Sequence, residues 1–512
     1  MTRNLIILLL LLGIFLFPQL STAQDSLWLL ATIVGETKCA SAGDLNGDGF
    51  KDIITGYPGS GGHIKIFLGS ADFDTIPDLQ ITGGGSFGSG VGCAGDVNKD
   101  GFDDFIVGAP GWNSAYIYFG GNPPDSVADL ILQEWGWNWG FGASVTSAGD
   151  VNNDGYDDVM VAAPNGWDPA GRVFIYLGGQ DMDSVYDIRI TGHSGSVAEL
   201  GRSVAALGDI NGDEYDDILI GSPYIGSAHN PGMAEIYLGG NPMDTIPDLT
   251  FYGDSIEFRD FGRNVASVGD VNDDGYTDIL IGNTKRSKLF FGDSLQDTNS
   301  YITLPVSYSI SLAGDINQDG YGDVIASDGK YPQSTYIFYG GEYMDSVADI
   351  TLRAEDSTLA GFGINVGCAG DINGDGFDEV MISSNGDSLY NGIIFIYTSC
   401  PTIIENLHTE QKQSDFKLNQ NYPNPFNSTT TIPFTVYGKR KTENRPLHTT
   451  LSIYNILGQK VKVLVDEMKS SGYYQAIWDG TDKEGNEVSS GIYFYRLQAG
   501  EFVQTKKMLL LE

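Results

Sequence analysis

The sequence predicts an all-β protein, a seven-bladed β-propeller followed by a small Ig-like β-sandwich. A nine-residue acidic pattern recurs seven times, and the first Asp residues of successive copies are 45 to 61 residues apart. Each copy is accompanied by four short runs rich in β-branched and aromatic residues, which is the strand content of one propeller blade. No stretch shows a helical period. The C-terminal ~95 residues contain further β runs without the acidic pattern.

Charge and composition mark the boundary between these two parts. The chain of 512 residues has a formal net charge of −39. Residues 1–400 contain 15 Lys and Arg against 55 Asp and Glu, whereas residues 401–512 contain 13 and 12. Such a chain lacks the clustered bases that bind phosphates, so we expect no nucleic-acid partner. A hydrophobic content of 41% excludes a disordered acidic chain, and only four Cys exclude a disulfide scaffold.

Residues 1–23 predict a secretory signal peptide. Arg3 supplies the basic start, Leu5–Phe17 is an apolar run interrupted only by Gly13, and Ser21-Thr22-Ala23 is a small-residue cleavage site. A membrane anchor is the alternative, but the run is shorter than the ~20 residues that span a bilayer. We therefore expect export with cleavage near Ala23. No later segment of the sequence predicts a transmembrane helix.

We expect the propeller to occupy residues 24–400, a polar linker residues 401–418 and the sandwich residues 419–512. In each unit a first strand ends in Ala-Gly-Asp or a variant, the acidic loop follows, and further strands complete the blade. The seventh unit has only three strands, but Leu27–Ile33 lies where other units place a fourth. The N-terminal strand is therefore predicted to complete blade seven and lock the ring. A six-bladed ring or an open array is the alternative.

The acidic loops carry the residue types that bind a hard divalent cation. Positions 1, 5 and 9 of the pattern are carboxylates, position 3 is Asn, and position 7 can add its backbone carbonyl. Oxygen-only ligands favour Ca²⁺, so the sequence predicts up to seven calcium sites. Solvated Asx turns are the alternative, which seven copies in register disfavour. The predicted ligands are Asp44, Asn46, Asp48, Asp52, Asp96, Asn98, Asp100, Asp104, Asp150, Asn152, Asp154, Asp158, Asp209, Asn211, Asp213, Asp217, Asp270, Asn272, Asp274, Asp278, Asp315, Asn317, Asp319, Asp323, Asp371, Asn373, Asp375 and Glu379.

The seven loops are not predicted to be equal. Position 6 is Gly in six copies, where it permits a sharp left-handed turn, but the fourth copy has Glu214. A residue with a Cβ loses ~1 kcal/mol or more in that conformation, so we expect weaker binding there. The seventh copy closes with Glu379, whose longer side chain should still reach.

Short motifs around the acidic loops resemble those of a known repeat. Phe-Gly pairs precede several first strands: Phe141-Gly142, Phe261-Gly262 and Phe362-Gly363. A triplet of Gly or Ala, then Ala or Ser, then Pro follows several second strands: Gly108-Ala-Pro110, Ala162-Ala-Pro164 and Gly221-Ser-Pro223. Together with the acidic loops these resemble FG-GAP repeats, the units of the integrin α-chain propeller and of many bacterial surface proteins. The resemblance covers about residues 25–400. Units one and six lack the Phe-Gly pair, unit four has Leu200-Gly201, and units five to seven lack the proline.

The resemblance implies that a ligand binds the face opposite the acidic loops, formed by the connections between strands two and three and between strands four and one. Aromatic residues in these connections of neighbouring units are the candidates: Trp112, Trp135, Trp137, Trp139, Trp167 and Tyr224. Flat apolar rings in such loops suit stacking on a glycan or anchoring a protein partner. The alternative is that they fill gaps between blades.

The C-terminal segment resembles a secretion address. Asn421-Tyr-Pro-Asn-Pro-Phe-Asn427 opens it and Lys507-Met-Leu-Leu510 lies near its end. Over residues 419–512 the set resembles the type A C-terminal sorting domain of proteins exported by the type IX secretion system of Gram-negative bacteria. The resemblance implies recognition by the secretion machinery, and a protein that is released or tethered to the cell surface. A structural or carbohydrate-binding sandwich is the alternative.

The sequence favours a binding or adhesion module over an enzyme. Five His residues are scattered, and no catalytic motif such as HExxH or GxSxG occurs. Acids also recur in the turns between strands three and four, at Asp74, Asp125, Asp183, Asp244, Asp297 and Asp345, with a second at Asp78, Asp129, Asp187, Asp248 and Asp349. A secreted polysaccharide lyase or hydrolase on a propeller scaffold remains the alternative.

The four cysteines are expected to be mainly structural. Cys39, Cys93 and Cys368 fall in first strands, so buried free thiols are the main expectation. A Cys39–Cys400 disulfide that joins the two ends of the ring is the alternative.

Overall fold

The structure is a computed structural model that describes most of the chain after residue 26. The described residues are 27–511 without 60, 135–139, 166–169, 193–197, 225–230, 254–258, 293–297, 299, 330–332, 355–360, 386–391, 400–415, 419–420, 422–425, 428, 437–446, 456–458, 470–471, 487 and 500–501. The expected signal peptide therefore lies outside the described residues. The chain divides into two compact units, Met1–Ile404 and Glu405–Glu512. Within the described part, no helix is long and apolar enough to cross a membrane.

The first unit contains seven four-stranded antiparallel sheets among its described residues. After β1 (Leu27–Val34), six sheets follow in chain order: β2 (Lys38–Gly43), β3 (Asp52–Tyr57), β4 (His63–Phe67), β5 (Leu79–Thr82); β6 (Val91–Gly95), β7 (Asp104–Ala109), β8 (Ser114–Tyr118), β9 (Leu130–Gln133); β10 (Ser144–Gly149), β11 (Asp158–Ala163), β12 (Arg172–Tyr176), β13 (Ile188–Thr191); β14 (Val204–Gly208), β15 (Asp217–Ser222), β16 (Met233–Tyr237), β17 (Leu249–Tyr252); β18 (Asn264–Ser267), β19 (Ile279–Gly282), β20 (Ser287–Phe290), β21 (Ile302–Leu304); β22 (Ile310–Gly314), β23 (Asp323–Ser327), β24 (Ser334–Phe338), β25 (Ile350–Arg353).

The seventh sheet joins the two ends of the unit. It contains β26 (Val366–Gly370), β27 (Glu379–Ser384), β28 (Ile393–Ser399) and, on its outer edge, β1. β1 pairs antiparallel with β28, from Leu27 opposite Ser399 to Val34 opposite Ile393. The first strands of successive sheets contact each other in order, and β26 contacts β2. The seven-bladed propeller closed by its N-terminal strand is therefore confirmed.

Each blade is held to the next by apolar side chains from both. The second strands β7, β11, β15 and β27 are buried along their whole length. Phe141, of a Phe-Gly pair between blades two and three, is fully buried, and its ring packs edge-on against Phe174 at 5.3 Å between centroids. Phe261 and Phe362 are buried in the same way. The Phe-Gly pairs are therefore part of the packing between blades.

A buried ion pair lies where β1 leads into blade one. Glu36, in the connection from β1 to β2, is fully buried. Its Oε1 accepts a hydrogen bond from Lys65 Nζ at 2.7 Å and lies 2.9 Å from His63 Nε2. Both partners lie on β4, so the pair holds the connection from β1 against the third strand of blade one.

Among its described residues, the second unit contains two sheets that enclose one apolar core. Its strands are β29 (Phe416–Leu418), β30 (Thr430–Val436), β31 (Leu447–Asn455), β32 (Lys460–Lys469), β33 (Gly472–Trp478), β34 (Gly491–Ala499) and β35 (Phe502–Leu510). One sheet has the order β29-β30-β33 and the other β32-β31-β34-β35. Trp478 and Tyr495 are fully buried between them, which confirms the sandwich. β29 lies in the segment assigned to the linker, so that segment is shorter than residues 401–418.

The opening motif of the second unit is anchored at two points. The Asn421 N–H donates to the Tyr495 hydroxyl at 2.9 Å, and Asn421 Nδ2 donates to Thr430 Oγ1 at 3.0 Å. The buried Phe426 exchanges backbone hydrogen bonds with Leu509 and Leu511 at 3.1 and 2.8 Å. The start of this unit is therefore tied to its last strand.

Candidate cation-binding loops

Each acidic loop connects the first and second strands of one blade, so all seven emerge at the same end of the blades. Position 6 has a left-handed φ in every loop, from +87° to +96° at the six glycines and +75° at Glu214. Position 4 is also left-handed, and four of its occupants are not Gly: Lys99, Asn153, Asp273 and Gln318. The recurring Gly predicts the left-handed turn at position 6, whereas the varied residues at position 4 do not predict a second one. Two left-handed residues reverse the chain tightly around the carboxylate of position 1.

Backbone N–H groups hold the first and fifth carboxylates in the same way in all seven loops. Oδ1 of position 1 accepts the N–H of position 5 at 3.0–3.1 Å, and Oδ2 accepts the N–H of position 6 at 2.7–3.0 Å. Oδ1 of position 5 accepts the N–H of position 7 at 2.9–3.1 Å. The loops are therefore preorganised by their own backbone.

The ninth carboxylate is fully buried in all seven loops. One of its oxygens accepts the N–H of position 2 at 2.8–3.1 Å. In the first six loops the other accepts an N–H from a Gly just after the third strand, at 2.7–2.9 Å. In the seventh, Oε1 of Glu379 instead accepts from Asn373 Nδ2 at 2.9 Å. In the first six loops, position 9 therefore ties the loop to the end of strand three of its own blade.

Burial and neighbouring charge raise the pKa of every ninth carboxylate. Burial is the largest cause, and repulsion by the fifth and first carboxylates of the same loop adds to it, while backbone hydrogen bonds oppose it. The pKa is raised to about 7 for Asp52, Asp104, Asp217 and Asp278, and to about 8 for Asp158, Asp323 and Glu379. Three carboxylates therefore share each loop closely enough to repel one another.

This donor set fits a hard divalent cation. A positive charge among the first, fifth and ninth carboxylates would relieve their repulsion, and carboxylate oxygens are the ligands that Ca²⁺ prefers. The side chains as they stand are turned towards backbone N–H groups. Within the described part of the chain, no group of three or more His, Cys, Asp or Glu is arranged to hold a metal ion.

The residue at position 8 makes a contact that the sequence pattern does not predict. In loop three Asp157 Oδ2 accepts the N–H of Asp96, position 1 of loop two, at 2.8 Å, and the Asp157 N–H donates to the Asp96 carbonyl at 3.4 Å. Asp103 and Asp216 make the same pair of bonds to the preceding loop. We call this reciprocal pair the inter-blade clasp. A single sequence gives no signal for it beyond the recurring Asp at position 8, because its partners lie about one blade apart in the chain.

Where the clasp is present, it adds a steric reason for the Gly that precedes position 1. Gly95 precedes position 1 of loop two and has φ +77°. A Cβ on Gly95 would lie 2.3 Å from Asp157 Oδ2. Gly43 and Gly149 have the same relation to Asp103 and Asp216. The glycine therefore makes room for the carboxylate of the next blade.

Of the predicted ligand-face residues, Trp112 and Tyr224 lie in the described part of the chain. Trp112 follows β7 and is 60% exposed. Its indole lies on the Gly84–Gly85 backbone, where a Cβ on either residue would approach the ring to within 2.2–2.3 Å. Tyr224 is half-buried, and its hydroxyl accepts a hydrogen bond from Arg263 Nη1 at 3.4 Å. Trp135, Trp137, Trp139 and Trp167 lie outside the described residues.

The repeated acids of the turns between strands three and four have local structural roles. Asp74 Oδ1 accepts the N–H of Ile76 at 2.7 Å, and Asp78 Oδ2 accepts the N–H of Leu68 at 2.8 Å. The corresponding aspartates of blades two, three, four and six make the same bonds. Asp297 lies outside the described residues. These carboxylates therefore fix the turns between strands three and four.

Cys39, Cys93 and Cys368 are free thiols. Burial raises the pKa of the Cys39 thiol to about 12, and its Sγ lies 3.2 Å from Asn365 Oδ1 of blade seven. Cys400, the other half of the alternative disulfide, lies outside the described residues. Cys39 therefore makes a hydrogen bond across the closing interface of the ring.

The propeller, its acidic loops and the C-terminal sandwich define the class of protein, a propeller with FG-GAP repeats and a secretion tail. The FG-GAP repeat matches at residues 40–73, 88–123, 141–176, 200–230 and 261–290. The secretion system C-terminal sorting domain matches at residues 420–511. Both resemblances are thus confirmed. The sorting domain indicates that the protein is secreted or attached to the outer-membrane surface of a Gram-negative bacterium.

Among curated proteins, the chain is similar to integrin α subunits. It is 31% identical to integrin alpha-5 of Xenopus laevis over 212 residues, which are 38% of this chain and 20% of the relative. It is 30% identical to integrin alpha pat-2 of Caenorhabditis elegans over 251 residues, 47% of this chain and 17% of the relative. The chain thus spans about a fifth of the length of these relatives.

A solved structure also resembles the chain. It is that of PorZ, described as an essential bacterial surface component of the type-IX secretion system of Porphyromonas gingivalis. The match covers 93% of this chain and 60% of that one, with 13% identity and a TM-score of 0.41.

Proposed function

We propose that this protein is an exported, calcium-binding β-propeller that acts as a binding or adhesion module at the cell surface or in the extracellular medium. The observation that carries the calcium proposal is the buried ninth carboxylate of every loop, whose pKa is raised by burial and by the first and fifth carboxylates. Seven equivalent loops with the same excess of carboxylates are consistent with a repeated cation site.

In each loop the first, fifth and ninth carboxylates, the Asn of position 3 and the carbonyl of position 7 would hold the ion. Bound Ca²⁺ would supply the positive charge that lets these oxygens approach one another. The chain itself supplies the reversal at positions 4 and 6 and the hydrogen bonds that orient positions 1 and 5. In the first six loops, the buried ninth residue links the site to the end of the third strand of its blade. We therefore assign calcium a structural role in the propeller.

The proposed ligand surface is the end of the blades opposite the acidic loops. Trp112 presents an exposed ring there, supported from below by the Gly84–Gly85 backbone. A flat ring held in this way suits stacking on a sugar or anchoring a protein side chain. The second proposed partner is the secretion machinery, which would recognise residues 420–511.

Calcium should raise the melting temperature of the propeller, because a ligand that binds the folded state stabilises it by mass action. The measurement is thermal unfolding of the mature protein in EDTA and in millimolar calcium. Asp154→Asn removes a carboxylate from loop three and should reduce the shift. Asp187→Asn removes the same charge from a turn of the same blade and should leave the shift intact. An unchanged melting curve in EDTA would contradict the calcium proposal.

A glycan array on the mature propeller tests the ligand surface. Trp112→Ala should lower binding, with Trp135→Ala and Trp137→Ala as further variants in the neighbouring loop. Tyr343→Ala is the matched control, since Tyr343 is 87% exposed in a turn at the opposite end of blade six. If no glycan binds, or if all variants bind equally, the glycan hypothesis is rejected in favour of a protein ligand.

A further inference from the structure

Positions 8 and 9 of an acidic loop are consecutive residues that serve two different loops. In loop three, Asp158 is the buried ninth carboxylate of its own loop and bonds the N–H groups of Val151 and Gly178 at 2.9 and 2.7 Å. Its neighbour Asp157 holds Asp96 of loop two through the inter-blade clasp. A change in the position of one residue therefore changes the position of the other.

The clasp acts on the first residue of the preceding loop. Asp96 is the first proposed ligand of loop two, and its carboxylate organises the turn by accepting the N–H groups of Asp100 and Gly101 at 3.0 Å each. Its own N–H is held by the Asp157 carboxylate and its carbonyl by the Asp157 N–H. Asp157 therefore fixes both sides of Asp96 along the backbone.

The position-8 carboxylate makes this contact at several other blade interfaces. Asp103 Oδ2 and Asp216 Oδ2 accept the N–H groups of Asp44 and Asp150 at 2.7 and 2.8 Å. Between loops six and seven, the Asp378 carboxylate lies against Gly314, the residue before Asp315, as the Asp157 carboxylate lies against Gly95 before Asp96.

Three loops have no acid at position 8. Thr277 and Gly322 replace it in loops five and six, and Gly322 keeps only the backbone bond to the Asp270 carbonyl at 2.9 Å. Lys51 replaces it in loop one and donates its N–H to the Asp371 carbonyl at 3.3 Å. The carboxylate arm of the clasp therefore joins loops one to four, and separately loops six and seven.

We propose that the aspartates of position 8 couple neighbouring loops, so that a cation bound in one loop raises the cation affinity of the preceding loop. The inference rests on the proposed calcium function. Loops one to four form one coupled group, loops six and seven form a second, and loop five binds independently. The aspartates of position 8 are positioning residues and do not themselves bind the cation.

The coupling arises because the adjacent residues Asp157 and Asp158 contact two different loops, so that fixing one residue also restricts the other. A cation bound to Asp158 in loop three fixes that residue and hence Asp157, which in turn holds Asp96 in its binding position. Loop two then loses less conformational freedom when it binds its own cation, so its affinity rises. Thermodynamic linkage requires that binding in loop two strengthens loop three by the same factor.

Asp157→Ala tests the proposal in the mature protein. Native mass spectrometry counts the bound calcium ions. Hydrogen–deuterium exchange of residues 96–104 across a calcium titration gives the calcium concentration at which loop two is half protected, which we call its midpoint. The charge-assisted bond of Asp157 is lost, so we expect this midpoint to rise about tenfold, while residues 270–278 of loop five keep theirs. Asp157→Asn retains an oxygen acceptor and should restore most of the affinity.

Thr277→Ala is the matched control, because it alters the same loop position at an interface without the carboxylate arm. It should leave the midpoint of loop four unchanged. If the clasp has only a structural role, Asp157→Ala should lower the melting temperature equally in EDTA and in calcium and should leave the loop-two midpoint unchanged. That result would overturn the proposal. A wild-type protein that binds no calcium would instead refute the calcium function itself.

Discussion

At the scale of single residues, the acidic loops depend on backbone conformations that most amino acids disfavour. Glu214 has φ +75° at a position where the other six loops have Gly. Its N–H nevertheless donates to Asp209 Oδ2 at 2.8 Å, so loop four keeps the hydrogen bond that position 6 makes in the other loops. The expected left-handed turn is confirmed, and the weaker binding of this loop stays a prediction.

Glu214→Gly should stabilise the protein by about 1 kcal/mol, because it removes the penalty for a left-handed residue that carries a Cβ. Equilibrium unfolding in urea measures the change. Glu342→Gly is the comparison, since residue 342 is exposed and is not among the left-handed residues. That control should be neutral or slightly destabilising, and equal effects at both sites would contradict the interpretation.

Alanine variants of Gly95 and Gly269 distinguish the energetic cost of backbone strain from the cost of a steric clash with the clasp. Both precede position 1 of a loop and are left-handed, at φ +77° and +68°. A Cβ on Gly95 would meet Asp157 Oδ2 at 2.3 Å, whereas one on Gly269 would meet only Leu312 Cδ1 at 3.5 Å. Gly269→Ala should cost about 1 kcal/mol of folding free energy, and Gly95→Ala about 1–3 kcal/mol more. Similar losses in urea unfolding would show that the clasp tolerates the added methyl group.

At the scale of strands and loops, repetition decides what the sequence can predict. The seven acidic loops, the four strands per blade and the closing role of residues 27–33 all follow from comparing one unit with the next. The inter-blade clasp does not, because it joins Asp96 to Asp157 across a blade interface. The burial of Asp52 escapes the pattern for a similar reason, since its second partner is Gly69 after strand three.

The closing strand β1 offers a direct test of the ring. Ile33 is 3% exposed and packs with Ile53 of blade one and Ile394 of blade seven. Ile33→Ala should destabilise the propeller by about 2–5 kcal/mol, the usual range for a buried aliphatic residue. Leu29→Ala on the same strand is the control, because Leu29 is 45% exposed and its loss should change stability by less than about 0.5 kcal/mol. Thermal and urea unfolding of the two variants measure both changes in stability, and equal losses would contradict a closing role for the buried face of β1.

At the scale of the whole molecule, the acidic charge belongs to one unit. Residues 1–400 contain 55 of the 67 acids, and all seven loops lie there, while the second unit is nearly neutral. The two units have separate cores. Calcium should therefore act on the propeller alone.

Calorimetry of the mature protein should show two transitions, of which EDTA lowers only one. The sorting domain expressed alone, from residue 416, should reproduce the transition that does not respond. A response of both transitions to EDTA would place a cation site in the second unit and would contradict the assignment of calcium to the acidic loops.

The pairing of Leu27 with Ser399 sets an order of folding. β1 is the first strand among the described residues, yet its partner β28 is the last described strand of the propeller. Contacts so far apart in sequence form slowly, because the entropy of closing the intervening chain must be overcome first. Trp28 and the adjacent Leu29 and Leu30 are exposed even in the finished ring. Before β28 emerges, the inner face of β1 is exposed as well, so the nascent protein carries an unpaired apolar strand until nearly the whole propeller has been made.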